Sequence, residues 1–415
     1  MYDLNLTAEQ LEIRETVRHF VMQEIKPVVL HPDRLQQPDR RLPLEILDKA
    51  SQMGLRTLAL SETLGGAGAD NLTCCLVMEE LAAGDVDVAA TLGHTSMLGH
   101  ILFDQVMMPE QRARFLPEFV ADSRYHLAFA AQVPDPESGW KYHRPFEDTT
   151  TCGVSAVRQG GEWAVNGVTG FVANAPVAKL ITVEVKTDPN TSGTNGVSAL
   201  LIPRDTPGLT VREPQQAGWG SGSHGEPFVQ WFHGTGGQLV FKDCRVAAEN
   251  LVGKEGESPL DGESMGRGNP QVQAMNVGIG RAAYEVAVEY AKLRVQGARR
   301  IIEHQAIGTK LAEVAIKLEV ARNMVWKAAW AADHPDAYAS LSDNLPLQTI
   351  AKVFTSQVVH EVTEDAAECF GGMGVMLDMP LPKYIHDARI FLHSGDSNSV
   401  AKLRIAEALA GYQRT

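Results

Sequence analysis

Cysteine is scarce in this 415-residue chain: Cys74, Cys75, Cys152, Cys244 and Cys369 are an odd number, and none stand at Cys-x-x-Cys spacing. That pattern argues against a zinc ribbon or a disulfide framework and fits buried thiols in a reducing compartment. Positive charge is also short. Lys and Arg number 37 against 51 Asp and Glu, and the formal charge of −14 would be repelled by phosphate backbones and anionic lipid. No apolar run approaches the roughly 20 residues that a spanning helix needs. The start Met1-Tyr2-Asp3-Leu4-Asn5 has no basic region leading into an apolar stretch, so no secretory signal is expected. There is no Gly-x-Gly-x-x-Gly after a strand, no phosphate loop ending Gly-Lys-Ser/Thr and no His-Glu-x-x-His. The 13 histidines do not pair at ligand spacing with a supporting carboxylate, so no metal is expected. A cytoplasmic protein is expected, with no nucleic-acid, membrane or metal role.

What is present is ample core material. Hydrophobic residues make up 44% of the chain, enough for about two or three domains at roughly 150 residues each. From Thr7 to about Ser123 the apolar residues recur at helical spacing. Thr7 with Gln10 reads as a capping box. Leu11, Val17, Phe20, Val21 and Ile25 then share a face, and Pro27 is expected to end the helix. Leu42–Met53, Asn71–Ala83 and Glu110–Val120 repeat the pattern. Between Tyr125 and about Val246 come short β-type runs separated by Gly, Pro, Asn and Asp, among them Leu127–Val133, Glu162–Val165, Lys179–Val185 and Val197–Ile202. After Pro270 four long amphipathic segments follow: Gln271–Arg294, Glu303–Ala332, Leu347–Phe370 and Asn398–Tyr412. Helices, then strands, then helices predict an α+β fold with the strands grouped together.

Several short motifs are spread over this frame. Phe370-Gly371-Gly372-Met373-Gly374 follows a helix ending Glu368-Cys369, and Asp387-Ala388-Arg389-Ile390 is read as opening the last element. Arg294 and Glu303-His304-Gln305 bracket a turn between two long helices. Glu79-Glu80-Leu81-Ala82 lies in the third helix, and Asn166-Gly167 is read as closing a hairpin. In isolation, Gly371–Gly374 is a plain helix C-cap turn and Arg294 a solvated helix-end charge. In this order and spacing they resemble the acyl-CoA dehydrogenase superfamily over essentially the full chain. The resemblance implies an N-terminal helical domain (1–123), a middle β-barrel domain (124–252) and a C-terminal four-helix bundle (253–415) that builds a homotetramer, or a heterotetramer with a homologous subunit. It implies FAD as cofactor, an acyl-CoA substrate and an electron-transfer flavoprotein as acceptor. The flavin contacts it implies fall on Phe129, Ala131, Gln132, Ser138, Phe171, Ala173, Arg294, Gln305, Glu368, Gly371, Gly372 and Ser397. The residues agree with that reading: glycines allow a large ligand close to the backbone, and Arg294 offers a forked charge to a pyrophosphate.

The match frays at the chemistry. Gln132 stands where the family usually has a Thr bonding the flavin pyrimidine edge, and it keeps both donor and acceptor capacity. Ala173 lacks the hydroxyl expected near flavin N5. In the family a Glu follows Asp-Ala-Lys-Ile-Tyr by three residues and removes the substrate α proton. Here Phe391-Leu392-His393-Ser394-Gly395-Asp396-Ser397 places Gly395 at that position and Asp396 one residue late. The N–H of Gly395 still remains available to polarise a thioester oxygen. Asp396 is therefore expected as a relocated base, with His94 as a second candidate and Asp85, Asp87 and Glu263 behind them. The stretch Trp219–Gly237, rich in Gly and carrying two His and two Trp, is an insertion that either shapes the pocket or decorates the surface. The expected activity is α,β-dehydrogenation of a CoA thioester. The alternatives are a non-catalytic or half-site subunit of a heteromer, and elimination or desulfination of a CoA thioester.

Overall fold

The computed structural model describes residues 5–36, 42–131, 153–191, 196–212, 234–260, 269–339, 345–393 and 397–411. In chain order the helices α1 (Ala8–Phe20), α2 (Lys26–Val29), α3 (Pro32–Leu35), α4 (Leu44–Gln52), α5 (Asn71–Gly84), α6 (Val86–Gly99) and α7 (Pro109–Ala121) come first. The strands β1 (His126–Ala130), β2 (Val154–Gln159), β3 (Glu162–Ala173), β4 (Ala178–Lys186), β5 (Val197–Pro203), β6 (Leu209–Arg212), β7 (Gly236–Ala247) and β8 (Leu251–Val252) follow. Then come α8 (Pro270–Leu293), a ribbon of β9 (Val295–Gln296) and β10 (Arg299–Arg300), α9 (Gln305–Asp333), α10 (Pro335–Ala339), α11 (Leu347–Phe370), α12 (Leu381–Ile390) and α13 (Asn398–Leu409). The α+β organisation and the grouping of strands are as expected. The chain divides into two compact units: residues 1–46, 69–90 and 266–415 in one, and 47–68 and 91–265 in the other.

The sheet unit is built on one eight-stranded sheet in the order β6-β7-β3-β2-β4-β5-β8, with β1 added in parallel to β4. Its central strands are apolar on both faces, and alternation sorts their side chains. Ala128 and Ala130 of β1, Ile181 and Val183 of β4, and Leu200 and Ile202 of β5 join one core. Leu127 and Phe129, Leu180, and Ala199 and Leu201 join the other, where they meet Leu98, Phe103, Phe115 and Phe119. Full burial of such a Leu or Phe side chain contributes about 1.5–3 kcal/mol by leaving water. Phe103 and Phe119 stack at 4.8 Å between centroids. Arg56, only 2% exposed, lies 4.5 Å over the Phe119 ring and donates from Nη1 to the Tyr125 carbonyl at 3.0 Å, just ahead of β1. Burial lowers its pKa to about 10. The expectation for Asn166-Gly167 is corrected here. Those residues sit inside β3 at a register shift opposite β7, and the β2–β3 hairpin turns instead at Gly160, whose φ of +64° suits a turn.

The helical unit packs α8 against α5, α9 and α11, with α12 and α13 laid on α11. Helix α5 is buried from Leu72 to Gly84, and α8 comes so close to it that a Cβ at Gly278 would stand 2.3 Å from the Glu79 carbonyl oxygen. The capping box forms as expected. Thr7 Oγ1 accepts from the Gln10 amide at 3.1 Å, and Gln10 Oε1 accepts from the Thr7 amide at 3.0 Å. Pro27 does not end the first helix. A π-helical turn, Val21–Ile25, follows α1, and the Lys26 amide donates to Val21, five residues back. Widening the turn lets the chain carry Pro27 at the head of α2, so Val21, Ile25 and Val29 all reach the core. Asp387 lies near the end of α12, and the last helix begins at Asn398.

The interior of this unit is charged. Glu79, 7% exposed, accepts from Arg322 Nη2 at 2.9 Å and lies 3.2 Å from Arg281 Nε. Glu80, 3% exposed, accepts from Arg18 Nη2 at 2.8 Å and from Arg281 Nη2 at 2.7 Å. The cluster thus joins α1, α5, α8 and α9. A second buried group places Lys383 of α12 against Asp387 and, at 3.5 Å, against Asp85. Burial opposes the Lys383 charge, but the two carboxylates outweigh it and raise the pKa above the usual lysine value.

Candidate flavin site

In the helical unit, three helix ends converge. Tyr290 in the last turn of α8 stacks on Phe370 at the end of α11, with centroids 4.0 Å apart and planes inclined by 12°. That stack brings the end of α8, which Arg294 closes, to the end of α11, where the turn Gly371–Val375 begins. The Ile301 amide donates to the Arg294 carbonyl at 2.8 Å, which folds the β9–β10 ribbon back and delivers the chain to the start of α9 at Gln305. Lys310, in the second turn of α9, pairs with Asp365 and Glu368 of α11. Of the residues expected to bind flavin, Arg294, Gln305, Glu368, Gly371 and Gly372 are therefore gathered at one exposed end of the bundle.

This end suits a diphosphate. Arg294, Arg299 and Arg300 are exposed, and the first amides of the 29-residue helix α9 add a positive dipole end. Gly371 has φ +57°, and no described atom lies within 4 Å of a Cβ built at Gly371 or Gly372. A ligand backbone can approach there without displacing protein. Ser397 has a local task as well, since its Oγ accepts from the Val400 amide at 3.4 Å and caps α13.

In the sheet unit, the expected flavin residues lie on β1 and β3. Phe129 is 9% exposed, and Ala131 directly follows β1. Phe171 and Ala173 are half-buried at the end of β3, beside β7. The Phe171 ring lies on Gly236, where a Cβ would be 2.2 Å from its Cζ. A flat aromatic surface and two small alanines at the ends of β1 and β3 suit a planar ring system. Residues that sequence reasoning passed over stand just behind them: Thr95, His126 and the buried Asn174 form one hydrogen-bonded group. The signal available was an Asn directly after a strand, where left-handed backbone favours it.

Gln132, Ser138, Gly395, Asp396 and Glu263 lie outside the described residues, as does most of the insertion from Trp219 to Gly237. His94 has its Nε2 shielded and without a hydrogen-bond partner, and burial lowers its pKa to about 4. Asp85 is occupied twice. Its Oδ1 accepts from the Asp87 and Val88 amides at 2.9 and 3.1 Å, and its Oδ2 faces Lys383. Among the described residues no three His, Cys, Asp or Glu side chains group to hold a metal, and no helix is long and apolar enough to cross a membrane.

Comparison with known proteins decides the class. Models of the acyl-CoA dehydrogenase N-terminal, middle and C-terminal domains match residues 7–123, 146–230 and 261–410 in the same order. The chain belongs to the acyl-CoA dehydrogenase family. It is 28% identical to the probable acyl-CoA dehydrogenase YngJ of Bacillus subtilis over 98% of this chain and 99% of that one. The butyryl-CoA dehydrogenase of Megasphaera elsdenii superposes with a TM-score of 0.79 at 27% identity, over 99% of this chain and all of the other. The FAD complex of PigA, at 24% identity and a TM-score of 0.78 over 99% of each chain, shares the fold. The protein is thus a flavin-dependent oxidoreductase, an acyl-CoA dehydrogenase with FAD as its cofactor.

Proposed function

We propose that this dehydrogenase oxidises a CoA thioester at its α and β carbons, with Asp396 taking the α proton. In this reading Arg294, Gln305, Gly371 and Gly372 hold the diphosphate side of FAD, and Phe129, Ala131, Phe171 and Ala173 border its ring. Bound FAD supplies the hydride acceptor. The chain's own part is to orient the thioester, exclude water and accept one proton as the C–C single bond becomes double. The observation that carries the assignment to Asp396 is the state of its competitors. His94 Nε2 is shielded and has no hydrogen-bond partner to orient it, and Asp85 and Asp387 are both bound to Lys383. Asp396 is the one carboxylate in the sequence between Ile390 and Asn398. An electron-transfer flavoprotein is the acceptor this chemistry calls for, since it takes electrons from the reduced flavin.

Anaerobic bleaching of the flavin by acyl-CoA tests the base. Asp396→Asn is expected to slow bleaching by about two to four orders of magnitude, while His94→Gln leaves it near the wild-type rate. Wild-type-like bleaching by Asp396→Asn would overturn the assignment. We further propose a tetramer built on the helical unit. Its support is the apolar surface left on α9 and α13, where Ile316 is 63% exposed, Val320 48% and Leu409 70%. Light scattering should give a mass about four times 45.1 kDa, and a mass near one chain would contradict it.

A further inference from the structure

Asn174 is the first residue after β3 and stands next to Ala173. It is 1% exposed and has φ +63°, a left-handed conformation that costs most non-glycine residues about 1–3 kcal/mol and Asn less. The surroundings hold it there from every side. Its Nδ2 donates to the Thr91 carbonyl at 3.0 Å, to Thr95 Oγ1 at 3.2 Å and to the Leu127 carbonyl at 3.3 Å. Two hydrogens serving three acceptors means that one of them is shared. Its backbone N–H donates to the Thr235 carbonyl at 2.7 Å, and its own carbonyl accepts from Val177 and Ala178 at 3.0 and 2.9 Å. Thr95 Oγ1 completes the group by donating to the Thr91 carbonyl at 3.0 Å and meeting His126 Nδ1 at 3.2 Å.

One residue therefore ties together α6, the start of β1, the end of β3, the start of β4 and the chain entering β7. The two ends carrying Phe129–Ala131 and Phe171–Ala173 belong to different, non-adjacent strands, β1 pairing with β4 and β3 with β2 and β7. No ladder hydrogen bond sets their spacing. We propose that Asn174, with Thr95, is the positioning residue that sets the spacing of these two strand ends and so determines how tightly, and in what environment, the flavin ring is held. It acts through the backbone of Leu127 and Ala173, not by touching the flavin. The inference rests on the reading above that these strand ends border the flavin.

The test titrates apoprotein with FAD and records the visible spectrum of each holoenzyme. Asn174→Gly keeps the left-handed backbone easy and deletes the amide. Thr95→Val removes one acceptor at nearly constant volume, and Phe171→Ala reports on the site reading itself. Asn174→Gly is expected to weaken FAD binding about tenfold and to shift the flavin absorption bands, with Thr95→Val giving about a threefold loss and a smaller shift. If Asn174→Gly lowers only the melting temperature, with FAD affinity within about twofold of wild type and an unchanged spectrum, Asn174 is a structural core residue and the proposal fails. If Phe171→Ala weakens FAD while the two knot variants do not, the positioning role falls and the site reading stands. Unchanged FAD binding in Phe171→Ala overturns both. Should Asn174→Gly not fold, Thr95→Val decides alone by the same twofold limit and spectrum.

Discussion

The helical unit cross-links its elements with a buried cluster of charged side chains; the sheet unit ties its strand ends with a neutral group. Glu79, Glu80, Arg281, Arg322 and Arg18 lock four helices, whereas Asn174, Thr95 and His126 lock strand ends. The difference follows from what each element leaves unsatisfied. A helix spends its backbone groups internally, so neighbouring helices can be cross-linked only by side chains, and Arg reaches across the gap with a forked donor. The carbonyls of Leu127, near the start of β1, and of Thr91, inside α6, lie within reach of one side chain, and a short amide bonds both without burying a charge.

The comparison can be broken first at its charged side. Glu80→Ala leaves Arg281, whose side chain is 11% exposed, with a partly uncompensated charge, and a loss of about 3–5 kcal/mol is expected in a denaturant melt. A loss below about 1 kcal/mol would mean that the ion cluster contributes no specific locking. Acid should next single out the neutral side. Burial, helped by Arg56, lowers His126 from 6.5 to about 4, and burial lowers His94 likewise. Because these folded-state values lie below the unfolded one, their contribution is fully present above pH 6.5 and is lost as pH falls towards 4. It amounts to about 3 kcal/mol for each group. A His126→Gln variant should lose less stability than wild type between pH 6.5 and 4, and identical pH profiles would refute the assignment. The smallest effect sharpens the contrast. Thr95→Val should cost about 1 kcal/mol, well under the cost of Glu80→Ala, and the reverse order would show that the neutral knot is the stronger.

Much of this was legible in the residues. Of the four segments read after Pro270, three appear within about two residues of their limits and the last begins at Asn398 as read and ends at Leu409; each has a wet face and a buried one, so the hydrophobic period survives. Thr7 and Gln10 marked their cap because the interaction is local. Helix α6 had no clear limits because it is apolar nearly all round, and Asn166-Gly167 misled because a bulge and a turn ask for the same residues. At the site, the convergence of Arg294, Gln305 and Gly371 followed from motif order. The Asn174 knot did not, since its bonds join residues 79 and 83 positions apart and no local pattern encodes them.

The widened turn at Val21–Ile25 carries a consequence for length variation. A π-helical turn is an α-helix with one residue inserted, and each residue adds about 100° of rotation. Excising the exposed Met22 would restore a regular helix and swing everything after it by that angle. Ile25 and Val29, both 0% exposed, would leave the core, although the shortened segment would score as the better helix. The α5 end at Gly84 is shaped to this turn, since a Cβ there would stand 2.7 Å from Val21 Cγ1. A one-residue deletion between 21 and 25 is therefore expected to be far more damaging than replacement of Met22 by alanine. Similar melting temperatures for the two would show that the inserted residue is dispensable.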